Sequence, residues 1–195
     1  MEDLLSYNQK FVEEKRYESY QAEKYPAKKL AILTCMDARL TTMLPAALGL
    51  SNGDAIIIKN AGALVHGETG GEMHSLLVAI YELGVTRVLV VGHTDCGVQG
   101  MTPEHIRRDM EKRIGKGQNW EEAQQLLNRM ENALYGFQQV EQSVEDTVAF
   151  LRRHPFIPGD IELYGMVIDS VTGKLTPVCE EKGQEKRVQE GESVR

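Results

Sequence analysis

Arg87-Val88-Leu89-Val90-Val91-Gly92, followed at once by His93-Thr94-Asp95-Cys96-Gly97, decides how this chain is read. After Arg87 these residues are a continuous apolar run without alternation, the pattern of a strand covered on both faces. Polar groups able to bind or react then gather at its carboxyl end. Three further runs share the strand pattern: Leu30-Ala31-Ile32-Leu33-Thr34, Ala55-Ile56-Ile57-Ile58-Lys59 and residues 161–168. Helical patterns lie between them over residues 41–50, 71–83, 103–113, 120–134 and 140–153, with Gly115-Lys116-Gly117 as a break. This alternation predicts an α/β fold. A central, mostly parallel sheet of order about 2-1-3-4 is expected, with right-handed crossovers and helices on both faces. Thr172-Gly173 predicts a turn that brings residues 171–178 back as an antiparallel edge strand.

A chain of 195 residues suits one core, and a single domain is expected over residues 1–179. Leu4, Leu5, Tyr7, Phe11, Val12, Tyr17 and Tyr20 recur as one face of an amphipathic helix or two short ones. Pro26 ends them, giving a helical arm over 1–26. From Glu180 the composition turns to charge and glycine, so residues 180–195 are expected to be a flexible tail. A net charge of −7 leaves no basic face for a nucleic-acid backbone. No apolar run approaches the roughly 20 residues that span a bilayer. Met1-Glu2-Asp3-Leu4-Leu5 lacks the basic start of a secretory signal, so a cytoplasmic location is expected. In that reducing setting the three cysteines are not expected to form a disulfide framework.

The chemistry lies at two strand ends. Cys35-Met36-Asp37-Ala38-Arg39 follows the first strand, and His93-Thr94-Asp95-Cys96-Gly97 follows the third. In an order of 2-1-3-4 those strands are neighbours at the point where the order reverses, the usual ligand-binding position of such sheets. Cys35, His93 and Cys96 then converge. Two thiolates and an imidazole suit zinc, and three protein ligands leave a fourth position open, as in catalytic sites. Read as an extended segment, residues 35, 37 and 39 share one side, which brings Asp37 to the metal and Arg39 within reach of Asp37. Two plainer readings stand beside this one. Cys35 can be a small core hydrophobe, or the site can be structural, with Asp37 as a permanent fourth ligand.

Cys-x-Asp-x-Arg followed about sixty residues later by His-x-x-Cys-Gly resembles the β-class carbonic anhydrases. Lys59-Asn60-Ala61-Gly62-Ala63 resembles that family's Arg-Asn-Ala-Gly segment. The resemblance covers residues 28–170, and is strongest to the small bacterial and archaeal branch. It implies zinc on Cys35, His93 and Cys96, a catalytic Asp37–Arg39 dyad, and reversible hydration of carbon dioxide to bicarbonate and a proton by zinc-hydroxide attack. It also implies a homodimer or dimer of dimers, with the N-terminal helix embracing the partner. Lys59 and Ala63 depart from the family's arginine and second glycine, which bears on substrate positioning. The same zinc set serves carbonyl sulfide and carbon disulfide hydrolases, so these activities, and a non-catalytic zinc protein, are the alternatives.

Asp37 has two exclusive positions. It pairs with Arg39 and leaves the metal open, or it moves onto the metal and closes it. Weaker candidates remain. Gly67-Glu68-Thr69-Gly70-Gly71 precedes a helix and suits an anion less well than a plain connection, having no phosphate-loop ending. His66, His74, His105 and His154 are candidate proton carriers, because imidazole as a group changes charge near neutrality, but surface or satisfied roles are favoured. Cys179 is expected to have no role, and Trp120 to lie in the core.

Overall fold

A computed structural model describes residues 1–114, 117, 119–130 and 134–183. Its strands are β1 (Leu30–Cys35), β2 (Ala55–Asn60), β3 (Arg87–His93), β4 (Glu162–Ile168) and β5 (Leu175–Glu181). The helices are α1 (Glu2–Glu13), α2 (Leu40–Ala47), α3 (Gly71–Tyr81), α4 (Pro103–Ile114), α5 (Trp120–Met130) and α6 (Val140–Arg153). A 3₁₀ turn, Arg16–Tyr20, follows α1, so the arm is two short helical pieces.

The sheet order is β2-β1-β3-β4-β5, with β1 to β4 parallel and β5 antiparallel to β4. The expected order and the antiparallel edge are both present. β1 and β3 are buried along nearly their whole length, which is why their sequences show no alternation. The chain steps from β1 outward to β2, then returns past β1 to β3. Right-handed crossovers in opposite directions put α2 and α3 on opposite faces and open a crevice at the carboxyl ends of β1 and β3.

Helix α6 packs against β3, β4 and β5. It comes close because two strand positions under it carry no side chain. A Cβ at Gly92 would meet Val140 Cγ2 at 2.6 Å, and one at Gly165 would meet Val144 Cγ1 at 2.6 Å. Val144, Val148 and Leu151 thereby join Val88, Val90 and Leu163 in the core.

Two expectations need correction, and a third falls partly outside the described residues. β5 runs through Glu181, so the proposed tail boundary at residue 180 falls inside a strand. An edge strand tolerates this charge, and Arg152 Nε donates to Glu181 Oε2 at 3.2 Å. Residues 184–195 of the proposed tail, and residues 115–116 of the proposed break, lie outside the described residues. Trp120 is half-buried rather than in the core, because α5 buries only Leu127.

Candidate metal centre

Cys35 is the last residue of β1 and His93 the last of β3; Cys96 follows three positions later. All three are buried, and their ligand atoms lie within 4.8 Å of one another. The two sulfurs are 3.8 Å apart. Among the described residues this is the one cluster of side chains arranged to share a metal ion.

The histidine shows which atom faces the cluster. Its Nδ1 lies 2.9 Å from the Thr94 carbonyl oxygen. A proton on Nδ1 therefore has an acceptor, and Nε2 is left with a lone pair. Nε2 is buried and without a hydrogen-bond partner. A buried, unpartnered acceptor facing two thiols is costly unless something binds it. The donor set N, S, S is soft and matches zinc. The residues fit that ion.

One of the two thiols is biased toward ionisation. A hydrogen bond from Cys96 lowers the Cys35 thiol far below its ordinary value, against the opposing effect of burial; His93 and the backbone N–H groups of Asp37 and Gly62 add to the lowering. Cys96 moves the other way, because the thiolate it donates to and burial both favour its protonated form. The pair shares one proton, which metal binding displaces. The same thiolate raises the His93 imidazole.

Asp37 approaches this cluster, its Oδ2 lying 3.9 Å from His93 Nε2. The reason differs from the one the sequence suggested. β1 ends at Cys35, and residues 37–40 form a turn in which Leu40 N–H donates to the Asp37 carbonyl at 3.2 Å. Arg39 then reaches back. Its Nε donates to Asp37 Oδ1 at 3.0 Å and its Nη2 to Oδ2 at 2.8 Å, a two-pronged contact. Its backbone N–H donates to Oδ1 as well, at 2.8 Å. These contacts, led by the Arg39 side chain, hold the Asp37 carboxyl down at about 2. Lys59 Nζ supports the turn from β2, donating to the Asp37 carbonyl at 3.1 Å and to Thr41 Oγ1 at 3.0 Å.

Two backbone devices hold the Cys96 loop. Gly62 has φ +83°, and a Cβ there would meet Val98 Cγ2 at 2.7 Å. A Cβ at Gly136 would stand 1.7 Å from the Val98 carbonyl oxygen. The loop after Cys96 is thus wedged between two glycines, and Gly100 N–H donates to the Phe137 carbonyl at 2.8 Å. Ala63 adopts φ +59°, the left-handed conformation for which the family's usual glycine is suited.

The other sequence candidates lie elsewhere in the network. His154 is buried and satisfied, its Nδ1 accepting from Phe156 N–H at 3.2 Å and its Nε2 3.2 Å from the Glu68 carbonyl. His74 and His105 are exposed. His66 Nδ1 lies 3.6 Å from Glu72 Oε1, and that carboxylate also accepts from His66 N–H at 2.7 Å. Glu72 thus occupies the mouth of the glycine-rich segment with a negative charge, which disfavours an anion there. Cys179 is half-buried on β5, beside Gly165. The grip of Asp95 on Arg39 went unread in the sequence, although Asp95 stands between two proposed ligands.

The carbonic anhydrase family model matches residues 30–175. The Bacillus subtilis protein YvdA is 45% identical over 182 residues, covering 90% of this chain and 89% of that protein. Beta-carbonic anhydrase 1 of Mycobacterium tuberculosis is 32% identical over 156 residues, covering 78% and 83%. A carbon disulfide hydrolase from an Acidianus strain is a more distant relative, 29% identical over 180 residues, covering 83% and 84%. Among solved structures, β-carbonic anhydrase isoform I of Trichomonas vaginalis superposes with a TM-score of 0.84 at 31% identity, covering 94% of this chain and 98% of that one. Sequence, strand order and the Cys-His-Cys cluster agree: the chain belongs to the β-class carbonic anhydrase family.

Proposed function

We propose that the protein catalyses the reversible hydration of carbon dioxide to bicarbonate and a proton. The observation that carries this reading is the buried, unpartnered Nε2 of His93 beside the Cys35 and Cys96 sulfurs, with an arginine-held carboxylate at their edge. Cys35, His93 and Cys96 would hold zinc, which supplies Lewis-acid activation of water near neutral pH.

The remaining work falls to the chain. Asp37 is ionised and so can only accept hydrogen bonds. A reacting water that donates to it is turned with a lone pair toward the carbon of the substrate. Arg39 keeps the carboxylate charged and, by occupying both its oxygens, holds it away from the metal position. This is the open arrangement of the two that Asp37 has available. Lys59, standing where the family has arginine, fixes from β2 the turn on which Asp37 rides.

The arm points to a second copy. Helix α1 buries none of its residues, and Leu4, Leu5 and Val12 are exposed. Packing on another subunit would cover this face, as the family resemblance implies. We therefore propose a homodimer, or a dimer of dimers, built on a single α/β domain. Among the described residues no helix is long and apolar enough to cross a membrane.

The test is a direct comparison on one zinc-loaded preparation. Carbon dioxide hydration is followed by stopped flow, and sulfide release from carbon disulfide and carbonyl sulfide is followed in parallel. Hydration well above the buffer rate with negligible sulfide release is expected. The reverse pattern would move the chain to the sulfur substrates, and neither activity would make it a non-catalytic zinc protein.

A further inference from the structure

Arg39 holds more than Asp37. Its Nη1 donates to Asp95 Oδ2 at 2.9 Å, and its Nη2 donates to the Asp95 backbone carbonyl at 2.8 Å. The guanidinium therefore lies between two carboxylates, one from the loop after β1 and one from the loop after β3. Asp95 can present both groups because its backbone is left-handed, with φ +54°. That conformation is uncommon outside glycine and is tolerated best by aspartate and asparagine. The Asp95 side chain is 85% exposed, so nothing in its packing explains why it folds back onto Arg39.

We propose that Asp95 is a positioning residue for the hydration reaction, acting through Arg39. With Asp37 as its only partner, a guanidinium on an exposed stem can swing while keeping one contact. Asp95 fixes its far edge, so that Nε and Nη2 stay aimed at the two oxygens of Asp37. Asp37 is thereby kept in the plane from which it orients water. The same contact ties the loop of Cys35 to the loop of Cys96. This inference rests on the Asp37–Arg39 reading above and extends it to a residue outside the dyad.

The experiment uses Asp95→Gly, which deletes the carboxylate while accepting the positive φ, and Asp95→Asn, which retains a side-chain oxygen acceptor. Both are made in the full chain and also combined with Arg39→Ala. Asp95→Gly should keep its zinc and lose about 3- to 10-fold in kcat with KM within about twofold, the signature of a lost orientation rather than lost binding. Asp95→Asn should recover most of that loss. In the Arg39→Ala background Asp95→Gly should cost nothing further, because a residue that acts through another is silent once the other is gone. The cobalt(II)-loaded protein reports the same geometry without turnover. Its visible absorption in Asp95→Gly should move in the direction it moves in Arg39→Ala. Wild-type kcat and spectrum in Asp95→Gly overturn the inference, as does an equal loss with and without Arg39. If Arg39→Ala itself turns over like the wild type, the dyad reading fails first.

Discussion

The carboxyl edge of the sheet and the N-terminal arm both carry a readable pattern of side chains, yet among the described residues only the edge buries its own. At the sheet edge Cys35 is 4% exposed, His93 1% and Cys96 7%; on the arm Leu4 is 68% exposed and Leu5 64%. The edge residues come from neighbouring strands whose order fixes where they meet. The arm precedes the sheet, and no strand order assigns it a place. An apolar helical face thus says that something will cover it, whereas a motif at a strand end also says where it will lie.

The largest effect should come from the ligands. Cys35→Ser or Cys96→Ser should weaken zinc binding by more than the roughly 100-fold that outer contacts contribute, since a hydroxyl replaces thiolate at a soft site. Competition with a chromophoric chelator measures this, and unchanged affinity would break the claim that the edge is a metal centre. Deleting residues 1–24 tests the other half of the comparison. Dissociation or precipitation is expected, read by light scattering, with zinc retained in whatever stays soluble. A well-behaved active monomer would show that the arm has no partner to lose.

Gly136→Ala sharpens the contrast from within the site. With a Cβ 1.7 Å from the Val98 carbonyl, the loop beyond Cys96 must move. Overpacking of this kind costs about 3 kcal/mol, to be read by urea unfolding together with weaker zinc binding. Arg39→Ala should release Asp37. Its carboxyl, held at about 2 chiefly by the Arg39 side chain, should rise toward the ordinary value near 3.9, visible in a carboxyl-carbon NMR titration. In the wild type the dyad's contribution to stability is complete above that ordinary value and lost as the pH falls through about 2.

The smallest effect is expected at Ala63→Gly. Relief of left-handed strain gives about 1 to 2 kcal/mol. Greater freedom of the unfolded chain takes back about 0.5 to 1 kcal/mol, and loss of a buried methyl about 0.8 kcal/mol more. These nearly cancel, so the melting temperature should hardly change. That balance shows how alanine can stand where the family prefers glycine.

The strands were legible because β1 and β3 are covered on both faces and their sequences say so. The meeting of Cys35, His93 and Cys96 was legible because they stand at or just beyond the ends of those strands. Local backbone was not. Asp37 reaches the site through a turn, not through an extended segment, and the left-handed conformation that folds Asp95 onto Arg39 leaves no periodic signal. Glu180 and Glu181 looked like the start of a tail because charge on an edge strand does not alternate with apolar residues as it does in a half-buried one. The bonds of Lys59 cross 22 positions to Asp37, a separation at which composition carries no information.

The most direct test of the central claim joins metal and turnover in one sample. Wild-type protein and Cys96→Ser are dialysed against limiting zinc, analysed for metal, and assayed by stopped flow for carbon dioxide hydration. The geometry predicts stoichiometric zinc and rapid hydration in the wild type, and loss of both in Cys96→Ser. Full zinc in Cys96→Ser, or a zinc-replete wild type that hydrates carbon dioxide no faster than buffer, would contradict it.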